Sequence, residues 1–382
     1  MALKAVHVSK VPRLDQVPAR LASVASCLPG TGSEGAAASA APAKFLVIGH
    51  RGRGMNALAS PDRRMRAVKE NSVLSFNEAG RFPVDFVEFD VQVTEDGCPV
   101  IFHDNYILAE EIGIISEKRV TELRLEEFLS YGPQRDIKKI GKSLHRKTKD
   151  GGMFSWKVEN DDPLCTLEEV FQKVDPKLGF NIELKFDDHV VYKEEELTRS
   201  LQLILKVVYE FANDRPIIFS SFQPDAAQLV RKLQNAYPVF FLTNGGNEVF
   251  SDERRNSLDE AIKHCLAHGL QGIVSEVRSI FRNPSLVPTI KESNLGLLTY
   301  GQLNNVAEAV CMQHLMGIDG VIVDLVQEIT EVVSDFSRPA VDAGDGICER
   351  EGNREQAKQS SSKPTFSQGE LSFLLRLVPE SV

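Results

Sequence analysis

Eight short apolar runs recur along the chain, at 45–49, 86–90, 179–185, 216–221, 238–243, 272–276, 296–300 and 320–324, and no other feature narrows its folding options as far. Most are separated by stretches whose apolar residues return at helical spacing, at 197–211, 226–236, 258–267 and 306–316. Short β-prone runs read as strands, and runs with a 3.6-residue period as amphipathic helices. Alternating strands and helices imply an α/β fold with a parallel sheet covered on both faces. Eight such units imply closure into a (β/α)8 TIM barrel; the alternative is an open doubly wound sheet. With 382 residues, 42% of them hydrophobic, the chain is long enough for one large barrel plus extensions.

In a barrel of this kind the reactive groups sit where strands end, at the carboxyl face. His50 and Arg51 stand at the end of the first run. Residues 86–94 alternate as a strand does, which puts Glu88 and Asp90 on one face. Asp96-Gly97 is a tight-turn signal between two β-prone stretches, and so a hairpin. His103 lies about as far beyond that turn as Asp90 lies before it, so folding the hairpin returns His103 to Asp90. The return arm, 98–103, is expected as an extra strand above the barrel mouth. In the third run Glu183 and Lys185 again share a face.

A lone charge on a strand is ordinarily a solvated edge position. Three carboxylates, Glu88, Asp90 and Glu183, projecting into one dry barrel are costly unless something compensates them. A divalent cation removes that cost, and all-oxygen ligands suit Mg²⁺, or alternatively Ca²⁺, better than Zn²⁺. Two histidines beside such a site titrate near neutrality and suit proton transfer. Arg51 is a planar fork of donors and Lys185 a point charge.

These segments resemble the glycerophosphodiester phosphodiesterase family. The resemblance rests on His50-Arg51-Gly52, Glu70-Asn71-Ser72, Glu88-Phe89-Asp90-Val91, Asp96-Gly97-Cys98-Pro99-Val100, His103-Asp104 and Ile182-Glu183-Leu184-Lys185. Ser221-Phe222-Gln223-Pro224-Asp225 and the stretch 317–324, ending at Asp324, extend it over roughly 45–330. It is strongest to plant members, including plastid-targeted ones. Where many relatives have tryptophan in the seventh-strand motif, this chain has Thr299-Tyr300-Gly301. The resemblance implies metal ligation by Glu88, Asp90 and Glu183, and His50 and His103 as the proton-transfer pair. Arg51 and Lys185 would hold the phosphate, and Glu70 would position Arg51 or a substrate hydroxyl. The implied reaction cuts glycerophosphodiesters, such as glycerophosphocholine and glycerophosphoethanolamine, into sn-glycerol 3-phosphate and an alcohol. A lysophospholipase D using the same groups on single-chain lipids is one alternative; a non-catalytic barrel that binds phosphodiesters is another.

Charge and cysteine usage bound the remaining classes. The balance of 44 basic against 54 acidic residues, net −10, argues against a nucleic-acid partner. The six cysteines are dispersed without CxxC spacing, as free thiols in a reducing compartment are. No apolar run is long enough for a transmembrane helix, and the partner the resemblance implies is a small-molecule glycerophosphodiester. His264 and His268 are four apart on a helix but lack a third ligand, and read as packing or surface residues. Residues 1–43 are rich in Ala and Ser and poor in acids, as a transit peptide is, which with the resemblance points to the chloroplast; a cytoplasmic enzyme with a disordered leader is the alternative. The barrel domain is expected over 44–330, with an insertion at 104–178 that is helical over 120–131, basic over 135–149, and overhangs the site. The tail 336–382, rich in Ser, Gln and charge, reads as disordered.

Overall fold

In the computed structural model, which describes residues 44–337 except 112, 149 and 150, each of the eight apolar runs contains a strand. In chain order the strands are β1 (Leu46–Gly49), β2 (Phe86–Val93), β3 (Pro99–Ile101), β4 (Tyr106–Glu111), β5 (Ile114–Arg119), β6 (Ser143–Lys147), β7 (Met153–Ser155), β8 (Gly179–Leu184), β9 (Ile217–Ser221), β10 (Val239–Thr243), β11 (Gly272–Glu276), β12 (Gly296–Tyr300) and β13 (Gly320–Val323). β1, β2 and β8 to β13 pair in parallel, and β1 closes the ring by pairing with both β13 and β2. The closed barrel is therefore the architecture, and the open sheet is excluded.

Period two sorts each stave into an inner and an outer set. Val87, Phe89 and Val91 of β2 join Phe180, Ile182 and Leu184 of β8 in the core beneath the helices. Phe86 points inward with Leu46, Ile48, Ile218, Phe240, Leu242, Val274, Leu298 and Ile322. Phe240 takes up the width of its neighbours: a Cβ on Gly272 would lie 2.4 Å from its ring, and one on Gly296 2.8 Å. Above this apolar layer the inward positions of β2 and β8 become Glu88, Asp90, Glu183 and, just past β8, Lys185.

The helices lie close to their expected positions, at Glu194–Phe211, Pro224–Leu233, Leu258–His268 and Ala307–Met316. The second stops short of 236 because Gln234 turns extended, its side chain donating to the Tyr237 carbonyl and accepting from the Tyr237 amide. The last helix, Val326–Ser337, passes the expected boundary at 330 and packs Val326, Ile329 and Val333 against Phe45, Val47, Val321 and Val323. The leader 1–43 and the tail beyond 337 lie outside the described residues.

The insertion differs most from expectation. It carries a four-stranded antiparallel sheet, ordered β5-β4-β6-β7, over a separate core that includes Ile107, Phe128, Tyr131, Leu144 and Trp156. The helix expected over 120–131 is a 3₁₀ turn, Val120–Glu122, and a short helix, Leu125–Leu129, parted by the extended backbone of Leu123 and Arg124. At its other end the range 104–178 contains a barrel helix, Leu167–Lys173, whose Leu167, Val170 and Phe171 belong to the main core. The return arm is as expected: β3 pairs antiparallel with the end of β2, Val91 opposite Ile101 and Val93 opposite Pro99.

Candidate active site

β1 ends in a sharp turn that aims two side chains into the mouth. Arg51 adopts a left-handed backbone, φ 50°, uncommon for a residue with a side chain. Its conformation is held on both sides: its amide donates to Glu88 Oε2 (2.9 Å), and its carbonyl accepts from the Asn71 amide and Ser75 Oγ. Gly52 follows at φ 90°, where a Cβ would meet Ser75 Oγ at 2.5 Å.

Parallel register puts Asp90 of β2 beside Glu183 of β8, one step above the pair Glu88 and Asn181. Glu88, Asp90 and Glu183 each offer an oxygen within 4.8 Å of the others. Glu88 Oε1 and Asp90 Oδ1 are buried without a hydrogen-bond partner, a costly arrangement for carboxylates. Lys185 Nζ lies 3.0 Å from Glu183 and 3.7 Å from Asp90, while Arg51 Nε lies 3.6 Å from Asp90. Burial and the neighbouring Asp90 carboxylate push Glu88 up, and burial pushes Glu183 up despite Lys185. Burial opposes ionisation of Asp90 too, but His103, Lys185 and Arg51 outweigh it and hold its carboxyl down.

Each histidine is braced by a carboxylate. His50 Nδ1 is 2.7 Å from Asp324 Oδ1, and its Nε2 is 4.0 Å from Glu88. Burial disfavours its charged form, but Asp324 prevails and the pKa is raised. Asp324, just past β13, is itself held by the Met55 amide and Asn305 Nδ2. His103 Nδ1 is 2.8 Å from Asp104 Oδ1. Burial, with Arg51 and Lys185 adding to it, pushes His103 down to about 4. A proton on Nδ1 shared with the carboxylate leaves Nε2 as the free nitrogen of each ring. All seven residues singled out from the sequence therefore converge on the barrel mouth, and Glu70 pairs with Arg51 Nη1 at 2.8 Å.

Residues 50–328 match the model of the "Glycerophosphoryl diester phosphodiesterase family". The chain belongs to this family. It is 58% identical, over 100% of its length and 99% of the relative's, to the Arabidopsis thaliana "Glycerophosphodiester phosphodiesterase GDPD1, chloroplastic". It is 28% identical to the Rattus norvegicus "Glycerophosphocholine phosphodiesterase GPCPD1", over 74% of this chain and 44% of that one. A solved Oleispira antarctica phosphodiesterase, in complex with the product sn-glycerol-3-phosphate, shares the fold at 19% identity, with a TM-score of 0.54 over 76% of this chain and 97% of that one. The chain is thus a glycerophosphodiester phosphodiesterase, acting on small-molecule diesters. No described helix is long and apolar enough to cross a membrane.

Several supports in this phosphodiesterase's candidate site went unassigned in the sequence. Asn71, whose Nδ2 donates to Asp90 Oδ2 (2.8 Å), and Asp324 both lie in quoted motifs, but their partners emerge only when distant strands meet. Arg146 reads in the sequence as one basic residue among many, yet it pairs with Glu70 and Asp104. Tyr300, in the departing seventh-strand motif, meets Phe222 edge-on at 5.8 Å and donates to Asn244. His264 packs as a buried residue, its ring tilted against Phe241 and His268 and in contact with the Pro224 carbonyl.

Proposed function

We propose that this enzyme hydrolyses glycerophosphodiesters to sn-glycerol 3-phosphate and an alcohol, by proton transfer between His50 and His103 across a cation site made of Glu88, Asp90 and Glu183. The observation that carries the reading is the pair of buried carboxylate oxygens without a hydrogen-bond partner, on Glu88 and Asp90, set between two histidines and two cationic side chains. Such a donor set fits a hard divalent ion, with Mg²⁺ preferred and Ca²⁺ the alternative. When bound, the ion supplies Lewis-acid stabilisation of the phosphoryl oxygens.

The protein's own groups do the rest. Arg51 and Lys185 draw in the anionic diester and offset the charge that grows as the nucleophile adds. One histidine removes the nucleophile's proton through Nε2, and the other returns one to the departing alkoxide. Asp324 and Asp104 keep each ring's Nδ1 occupied and its Nε2 turned into the mouth. Opposite pKa shifts leave one ring disposed to carry a proton and the other to lack it, as a proton-transfer pair requires.

The test is release of glycerol 3-phosphate from glycerophosphocholine with Mg²⁺, with Ca²⁺ and with chelator, with lysophosphatidylcholine alongside. Turnover of the soluble diester only with a cation is expected. Turnover of the lipid alone would move the assignment to a lysophospholipase D. We further propose that residues 1–43 act as a plastid transit peptide, supported by their composition and by the chloroplastic name of one relative. Fusing 1–43 to a fluorescent protein in leaf cells checks this; cytosolic fluorescence would remove it.

A further inference from the structure

The guanidinium of Arg146 leaves the insertion strand β6 and buries itself between two carboxylates. Nη2 and Nη1 donate to Glu70 Oε1 and Oε2 at 2.7 and 2.9 Å, and Nε donates to Asp104 Oδ2 at 2.9 Å. Nη1 also reaches the Asn56 carbonyl at 3.2 Å. The plane lies over the Trp156 ring at 3.6 Å, and Lys69 Nζ approaches the same ring at 3.5 Å. All three nitrogens of the fork donate, through four hydrogen bonds, so this is a seated side chain and not a solvated one.

Each carboxylate it holds has a second partner in the mouth. Glu70 Oε1 also accepts from Arg51 Nη1, and Asp104 Oδ1 faces His103 Nδ1. We propose that Arg146 is a positioning residue through which the insertion takes part in the reaction. By fixing Asp104 it sets the ring orientation and tautomer of His103; by fixing Glu70 it sets the fork of Arg51. The insertion is then a working part of the site, and this rests on the roles given above to His103 and Arg51.

His103 is faced by Arg51 and Lys185 from the barrel, by Asp90 from β2 and by its neighbour Asp104. Removing Arg146 takes a cation from Asp104 and frees that carboxylate to favour imidazolium. The limb of the pH profile that belongs to His103 therefore moves to higher pH. A merely structural loss would lower the rate and leave the limb in place.

The experiment uses the full chain and measures kcat and KM for glycerophosphocholine against pH, with Mg²⁺. In Arg146→Met, kcat/KM should fall roughly 10–100-fold, in the range seen when supports behind reactive groups are lost, and one limb should rise. Adding Asp104→Asn should send that limb back down. Arg146→Lys keeps the charge without the fork; it should fold, lose rate and leave the limb unmoved. Wild-type rate and pH profile in a folded Arg146→Met or Arg146→Lys, beside an inactive His103→Ala, overturns the proposal and spares the reading beneath it. Full activity in His103→Ala overturns both.

Discussion

A carboxylate stands behind each histidine, and the two braces differ in origin. Asp104 is the next residue to His103, whereas Asp324 reaches His50 across the seam where β13 meets β1. Asp324→Asn removes the anion that raises His50, so the His50 pKa should drop. One limb of the kcat/KM profile then moves to lower pH while the other stays, and the moving limb tells whether His50 gives or takes the proton; two fixed limbs would take His50 out of the profile. His50→Ala and His103→Ala should each cost about 10²–10⁴-fold in kcat, while calorimetric titration still shows cation binding. Glu88 and Glu183 are raised, so each binds more protons folded than unfolded. The metal-free protein therefore loses stability as pH rises through their elevated range, and this loss is absent below the ordinary carboxylate pKa of about 4.3. Mg²⁺ at about 100 times its Kd should add about 2.7 kcal/mol at neutral pH, read as a rise in Tm. In Glu88→Gln the metal-free Tm should rise and the response to Mg²⁺ shrink; an unchanged response would show that Glu88 is not a ligand. At this scale the sequence made the meeting of the candidate groups legible, because alternation and a hairpin set Glu88, Asp90 and His103 by local spacing. It hid Asp324 and Arg146, whose partners lie far along the chain and are brought near only by barrel closure and by the insertion.

Among elements, the eight staves were readable because they are buried on both faces and so are apolar nearly throughout. The insertion strands carry no such mark. β5 reads Ile-Ile-Ser-Glu-Lys-Arg, β7 is exposed along its length, and β6 mixes Leu144 with His145 and Arg146. Strands of that composition look like loop until a partner sheet defines them. Inside the barrel, Phe240 leans over Gly272 on the adjacent stave and Gly296 on the one beyond, an exchange of large for small. Gly272→Ala should destabilise by roughly 1–3 kcal/mol through overpacking, and pairing it with Phe240→Leu should recover part of that loss. Denaturant melts of the single and double variants measure it, and simple additivity would show that the two side chains do not compete for one space.

For the whole molecule, the insertion is bound to the barrel on two sides. Arg146 ties it to Glu70 and Asp104, and Arg119 pairs with Asp187 in the loop beyond β8. Its core also takes in Val100 and Phe102 from the hairpin arm. Shared packing of this kind predicts one cooperative unfolding transition for barrel and insertion together in calorimetry. A separate, earlier transition for the insertion would show that it docks as an independent unit. The arrangement at the seam of the barrel has a practical corollary. Phe45, just ahead of β1, and Val333, near the close of the last helix, share one apolar cluster, while His50 and Asp324 stand at the other end of the same strands. The described chain thus enters and leaves at the barrel floor, so a label or support attached at residue 44 or 337 meets the barrel on the side away from the mouth.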